Sequence, residues 1–201
     1  MVNVLIGCEE SGVGRRVWRE RGHNAWSNDL IAARDNSFHH LRCDVMQALD
    51  MHLWDIIILH PDCTKMTVAG NRTYADTQER LDQVSWTEAL YLKAKSKAKI
   101  GVCLENPVSV FFSHMRNKYG LKVQYIQPYE HGHLEQKKTG LLLDNLPHLT
   151  PSNFVYEKMM QLPVNERERI FYMAPGPNRS RDRSESYSGI LGAMADQWGI
   201  L

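Results

Sequence analysis

Cys63 lies in the run His60-Pro61-Asp62-Cys63-Thr64, directly after the apolar segment Trp54–Leu59. A cysteine in a prolyl loop at the end of a buried strand has little freedom, which suits a nucleophile. It attacks as a thiolate, so it needs a lowered pKa or a nearby base. The plainer alternative is an inert core thiol. Glu105-Asn106-Pro107 follows a second apolar segment, Ile100–Leu104. If the two segments are neighbouring parallel strands, their ends lie about 5 Å apart. Glu105 then faces the pocket that holds Cys63. A buried carboxyl with a raised pKa can give a proton to a ring nitrogen and make the ring electrophilic. The alternative is a helix-capping or loop anion. Gln136-Lys137-Lys138 precedes another strand candidate, Thr139–Leu143. Lysines there would hold a phosphate or a base carbonyl, or would simply face water.

These groups need a frame, and the pattern supplies one. Val2–Ile6, Asn24–Asn28, Trp54–Leu59 and Ile100–Leu104 read as strands, with a weaker one at Leu41–Cys43. Val13–Arg21, Gln78–Lys99, Val108–Lys118 and Ser188–Trp198 read as helices. Leu121–Ile126 is a further strand candidate, and residues 147–177 look irregular. Strands alternating with helices predict an α/β fold with a mostly parallel sheet. Gly7, Asp29, Asp44, Cys63 and Glu105 all follow strand carboxyl ends, where open α/β sheets bind ligands. The first unit has a nucleotide-binding layout: strand, glycine-bearing loop with Gly7, Gly12 and Gly14, helix, then Asp29 to accept ribose hydroxyls. The Glu9-Glu10 pair in that loop would repel a pyrophosphate and tolerate a cationic sulfonium.

The chain has 201 residues, 43% hydrophobic and 23% charged, which fits one ordinary globular domain. The apolar runs are too short to span a bilayer, and the start shows no signal-peptide pattern. Cys8, Cys43, Cys63 and Cys103 are not in paired short spacings. That argues for a reduced, cytoplasmic setting and against disulfides or a zinc site. The net charge of +1 argues neither for nor against nucleic acid. Basic residues cluster at Arg15–Arg21, at Lys93–Lys99 and at Arg179–Arg183, as solvated faces or as phosphate contacts.

Taken in order, these elements resemble the C5-cytosine DNA methyltransferase family over residues 2 to about 145. Leu5-Ile6-Gly7 through Gly22 is similar to the family's first motif, and Asp29 matches the ribose-binding acid. Cys43-Asp44 resembles the adenine-contacting pair, and Pro61-Asp62-Cys63 the Pro-Pro-Cys loop. Leu104-Glu105-Asn106 resembles the Glu-Asn-Val motif, and Gln136-Lys137-Lys138 the Gln-x-Arg-x-Arg motif. Ser188-Gly189-Ile190 takes the place of the last motif. The chain looks closer still to short phage-encoded relatives described as DNA cytosine methylases.

The resemblance implies a Rossmann-like class I S-adenosylmethionine-dependent methyltransferase fold. It also implies methyl transfer to C5 of cytosine in DNA, after Cys63 adds to C6. Catalytic roles fall to Cys63, Glu105, Gln136 and Lys138. The S-adenosylmethionine site takes Gly7, Cys8, Glu9, Gly12, Asp29, Leu30, Asp44, Val45, His60 and Pro61. Arg15, Arg16, Arg72, Lys137, Arg179, Arg181 and Arg183 are implied DNA contacts, with duplex and base flipping or single strands as substrate. No metal and no membrane is implied, and the oligomeric state is left open.

Three departures stand out. Asp62 replaces a proline beside the nucleophile, the Gln-x-Arg-x-Arg arginines are absent, and residues 145–187 form a short irregular insert where relatives carry a recognition domain. They leave two alternatives standing: modification of a free pyrimidine nucleotide, and a non-catalytic descendant that binds nucleic acid or protein in an anti-defence role.

Overall fold

Ile56-Ile57-Ile58-Leu59 has no polar position, so it must be covered on both faces and paired on both edges. It is the middle strand of the seven in this computed structural model, which describes residues 1–177 and 179–201. The strands are β1 Asn3–Gly7, β2 Asn24–Asp29, β3 His40–Arg42, β4 Ile56–Leu59, β5 Gly101–Pro107, β6 Val123–Ile126 and β7 Thr139–Asp144. Their spatial order is β3-β2-β1-β4-β5-β7-β6. The pairs β1–β2, β1–β4, β2–β3 and β4–β5 are parallel, and β7 runs antiparallel to both β5 and β6. The stretch from β6 to β7 has no crossover helix, so the chain returns antiparallel into the slot beside β5.

The helices are α1 Val13–Glu20, α2 Val45–Met51, α3 Asn71–Tyr74, α4 Gln78–Lys97, α5 Val110–Tyr119, α6 Tyr156–Met160, α7 Val164–Arg167, α8 Arg169–Tyr172, α9 Arg179–Ser184 and α10 Ser188–Trp198. Strand alternation sends Ile6, Ile58 and Cys103 to one face, against Trp18 of α1 and Met194 and Trp198 of α10. Leu5, Ile57 and Leu104 go to the other, against Leu49 of α2, Leu90 of α4 and Phe111 of α5. Among the described residues, no helix is long and apolar enough to cross a membrane.

The differences from the sequence reading are local. Helix α2 was not anticipated; Asp44 caps it by accepting the Met46 N–H at 2.7 Å. Strand β5 runs three residues further than its apolar core, because Glu105, Asn106 and Pro107 pair with Leu141, Gly140 and Thr139 of β7. Glu105 is therefore held in the sheet rather than in a loop. Residues 147–177 contain three short helices, α6 to α8, and are not wholly irregular. At α10, a Cβ on Gly189 would strike the His131 carbonyl, so only glycine lets this helix seat so closely.

Arg15 corrects a surface assignment. Its side chain is 1% exposed, paired with Asp35, and donates to Ser27 Oγ at 2.8 Å. Its charge is neutralised inside the fold, which takes it out of the candidate DNA contacts. Burial pushes the Asp35 carboxyl up, but Arg15 and Arg16 more than offset this and hold it at about 2. Between α4 and α5, Glu88 is buried and accepts from Lys118 and His114, each at 2.6 Å, and from Tyr119. Here too burial raises the carboxyl and these partners bring it down, to about 2.

Both carboxyls titrate below their ordinary values of 3.8 and 4.5. The stability they contribute is therefore complete above about pH 5 and lost as pH falls toward 2. Urea midpoints measured across that range should fall steeply. Glu88→Gln should cost about 2 kcal/mol at pH 7 and flatten the acid limb. Arg15→Ala should also cost about 2 kcal/mol, below the usual penalty for breaking a buried pair, because Asp35 stays partly exposed and keeps Arg16.

Candidate active site

The loop after β1 turns sharply. Cys8 has φ 59° and Gly12 has φ 70°, so a non-glycine residue takes one of the two left-handed positions. Glu9 is buried there. Its Oε1 accepts from Ser11 Oγ and from the Gly14 N–H at 3.3 Å, while Oε2 is buried without a partner. At the end of β2, Asn28 Nδ2 donates to the Leu41 and Cys43 carbonyls at 2.9 and 2.8 Å. Asp29 Oδ1 accepts the Ile31 N–H at 3.2 Å. These loops and that after β4 enclose a cavity of ≈ 350 Å³.

Of the sequence candidates for a cofactor, Cys8, Glu9, Asp29, Leu30, Asp44, Val45 and His60 line this cavity. Gly7, Gly12 and Pro61 are not among the lining residues. Sequence reasoning missed Trp86, which reaches the cavity from the middle of α4, and Ser184-Glu185-Ser186, which cross it from the C-terminal segment. Nothing local marks either. Arg34 was also missed; it donates to Glu10 at 2.8 Å and to Glu185 at 2.6 Å, tying the first loop to the crossing segment. Six carboxylates line the cavity (Glu9, Glu10, Asp29, Asp44, Asp62 and Glu185) against one guanidinium, Arg34. The unpartnered Glu9 Oε2 and this excess of anions fit a ligand that carries positive charge, such as a sulfonium with an ammonium group.

The Cys63 loop is anchored to α4 and the core. The Cys63 carbonyl accepts the Met66 and Thr67 N–H groups at 2.9 and 3.0 Å, and Met66 is buried. Gln83 of α4 donates to the Asp62 carbonyl at 2.9 Å and to Asp62 Oδ2 at 3.0 Å. Because Leu59 pairs with Leu104, His60 and Glu105 come next on adjacent strands, and His60 Nδ1 lies 2.9 Å from Glu105 Oε2. Burial pushes the Cys63 thiol up to about 11, with further upward pushes from the charges of Glu105 and Asp62 and an opposing pull from Lys137.

For Glu105 the expected raised pKa is corrected. Burial raises it, but the His60 hydrogen bond, the His60 charge and the Lys137 charge outweigh burial and hold it below the ordinary carboxylate value. His60, read from sequence as a cofactor contact, thus borders the cavity and the carboxylate together. Its Nε2 is buried without a partner.

In the Gln136-Lys137-Lys138 loop the two lysines diverge. Lys137 bears on both Cys63 and Glu105, and its Nζ donates to the Arg183 carbonyl at 2.9 Å. Lys138 is exposed and sits 4.6 Å above the Tyr125 ring. The geometry therefore moves the catalytic candidate from Lys138 to Lys137. The Gln136 N–H donates to the Arg167 carbonyl at 2.6 Å, which docks α7 on this loop.

Arg16 is half-exposed and paired with Asp35 at 2.9 Å. Arg179 Nε donates to the Met173 carbonyl at 2.9 Å, and Arg183 is half-buried. Arg72 and Arg181 are exposed. The Lys93–Lys99 cluster is a structural one: Lys93 and Lys97 meet Asp50, Lys95 meets Asp144 and Lys99 meets Asp55. A larger cavity, ≈ 680 Å³, lies between α1 and α8, and neither Cys63 nor Glu105 lines it.

Compared by sequence, the chain matches no protein-family model and no curated protein. Compared by structure, it resembles a methyltransferase of Entamoeba histolytica, with a TM-score of 0.55 and 13% identity over 77% of this chain and 58% of the other. It also resembles a protein described as a DNA modification methyltransferase encoded within an E. coli prophage, with a TM-score of 0.54 and 13% identity over 77% of this chain and 52% of that one. The chain spans between half and three fifths of the length of these structures. With its sheet order and the single antiparallel strand β7, the chain has the Rossmann-like α/β fold of class I S-adenosylmethionine-dependent methyltransferases.

Proposed function

We propose that the chain transfers a methyl group from S-adenosylmethionine to C5 of a pyrimidine, cytosine, in DNA. The observation that carries this reading is the strand register that sets His60 2.9 Å from Glu105, with Cys63 further along the same loop, beside a cavity lined by carboxylates. A thiol and a carboxyl that sense each other's charge are what addition to C6 of a pyrimidine requires.

Cys63 Sγ forms a bond to C6 as its own proton passes to water. The C5–C6 electron pair shifts into the ring toward N3, which takes a proton held by Glu105, and C5 becomes nucleophilic. S-adenosylmethionine supplies, when bound, an electrophilic methyl on a sulfonium sulfur. After C5 is methylated a base removes the C5 proton, the C5–C6 double bond re-forms, Cys63 leaves as thiolate, and the N3 proton returns to Glu105.

At rest the protein holds the opposite arrangement, with the proton on sulfur and the carboxyl ionised. Attack therefore begins by moving one proton off Cys63 and supplying one to Glu105. His60 holds Glu105 at one oxygen, which leaves the other for the pyrimidine edge. Lys137 provides the positive charge for which relatives use arginine, as a point charge rather than a bidentate clamp. Exposed Arg72 and Arg181 and the exposed aromatics Phe171 and Tyr172 are the residues proposed to meet DNA around an extruded base.

Incubation with methyl-labelled donor should label DNA, and nucleoside mass spectrometry should find 5-methylcytosine. Cys63→Ala should abolish it. Failure of the wild-type chain on duplex, single-stranded and mixed-sequence DNA would sink the proposal, and labelling of dCMP alone would replace the polymer by a free nucleotide. A second expectation separates chemistry from electrostatics. Glu105→Gln should lower kcat by at least about 100-fold. The same change removes a negative charge from Cys63, so iodoacetamide should alkylate Cys63 faster at pH 8 than in the wild type.

A further inference from the structure

Asp62 is the charged residue beside the nucleophile, and pyrimidine chemistry gives it no task. Two facts mark its position. It lines the carboxylate-rich cavity, and it is the chain neighbour of Cys63, which does not line that cavity. Its carboxylate is also fixed. Oδ1 accepts the Thr64 N–H at 3.0 Å and the Thr64 hydroxyl at 2.6 Å, and Oδ2 accepts from Gln83 at 3.0 Å. A methyl bound for a base attached to Cys63 must enter from the part of the cavity nearest Cys63. A donor held in that part of the cavity would have its sulfonium beside Asp62.

We propose that Asp62 gates the nucleophile by charge, suppressing the Cys63 thiolate while the cavity is empty and ceasing to do so once a cationic donor is bound beside it. The inference rests on the methyltransferase reading above. An anion next to a thiol disfavours the thiolate, and a cation placed between them cancels that field. Burial and Glu105 act on Cys63 in the same direction as Asp62, and of the two carboxylates Asp62 is the one that lines the cavity. The spent donor has a neutral thioether in place of the sulfonium and leaves Asp62 uncompensated. Cys63 is thus more reactive with a cationic donor bound than with the cavity empty or holding the spent donor. By reciprocity, the ionised thiol favours the cationic donor over the neutral product.

The test uses the full chain and per-cysteine alkylation by iodoacetamide at pH 8, read by peptide mass spectrometry. In that reaction the Sγ proton leaves to water, sulfur bonds to the methylene carbon and iodide departs. Four samples are compared: no ligand, S-adenosylmethionine, sinefungin (an ammonium in place of the sulfonium) and S-adenosylhomocysteine, which is neutral there. Cys43 lines the cavity, so its protection reports occupancy by any of the three. The expected result is that all three ligands slow Cys43, while only the two cations speed Cys63, by about tenfold, as one unit of thiol pKa would. Asp62→Asn should speed Cys63 in the empty protein by a similar factor and erase the advantage of the cations.

Equal Cys63 rates with cationic and neutral ligands, under full Cys43 protection, would overturn the gate and leave the methyltransferase reading standing. So would an unchanged empty-state rate in an Asp62→Asn chain of native circular dichroism. If Asp62→Asn does not fold, the ligand comparison on wild type decides alone. No Cys43 protection by any ligand would overturn the donor reading, and the gate with it.

Discussion

Leu59 of β4 lies opposite Leu104 of β5, and the site is built from the residues one position further along each strand. That register puts His60 beside Glu105 and launches the Cys63 loop from the same edge. A slip of one residue would turn Glu105 to the opposite face of the sheet. The slip is blocked because both faces are committed: Ile58 and Cys103 pack toward α1 and α10, and Ile57 and Leu104 toward α2, α4 and α5. The geometry of the candidate site is thus held by the apolar core rather than by the polar groups themselves, which could not order two strands alone.

On that frame the electrostatics are uneven by construction. The cavity collects carboxylates from the ends of β1, β2 and β4, and the single guanidinium at its wall is tied to two of them. Such a surface is unfavourable when empty and suits a ligand carrying positive charge. Burial first, and then the charges of Glu105 and Asp62, push the Cys63 thiol up, whereas His60 and Lys137 outweigh burial and hold Glu105 below the ordinary carboxylate value. The resting protonation is the reverse of the one that the proposed attack needs.

The C-terminal third closes the arrangement through one loop. His133 accepts the Gly189 N–H at 2.9 Å, Glu135 accepts from Arg169 and from Tyr187, and Lys137 reaches the Arg183 carbonyl. Residues 131–138 therefore tie α8, α9 and α10 to the edge of the sheet where the site lies. The segment from 145 to 187 is short, yet it supplies the wall of the cavity at Ser184–Ser186.

Apolar patterning made much of this legible beforehand. The β-branched run at Ile56–Ile58, the glycine-bearing loop after β1, and polar residues stationed just past apolar segments pointed to an α/β sheet with Cys63, Glu105 and Asp29 on one edge, because strand periodicity and strand-end placement are local properties. What the tertiary structure alone decided depends on residues far apart in the chain. Arg15 looked like one of four surface arginines until Asp35 and Ser27 closed around it, and Lys138 was read as catalytic and Lys137 as a DNA contact until the fold set Lys138 over Tyr125 and Lys137 against the Arg183 carbonyl. Glu105 was expected to be protonated because burial acts that way, but its neighbour His60 lies 45 positions away and reverses the sign. Charge and burial are set by whatever packs nearby in space, and no periodicity in the sequence carries that information.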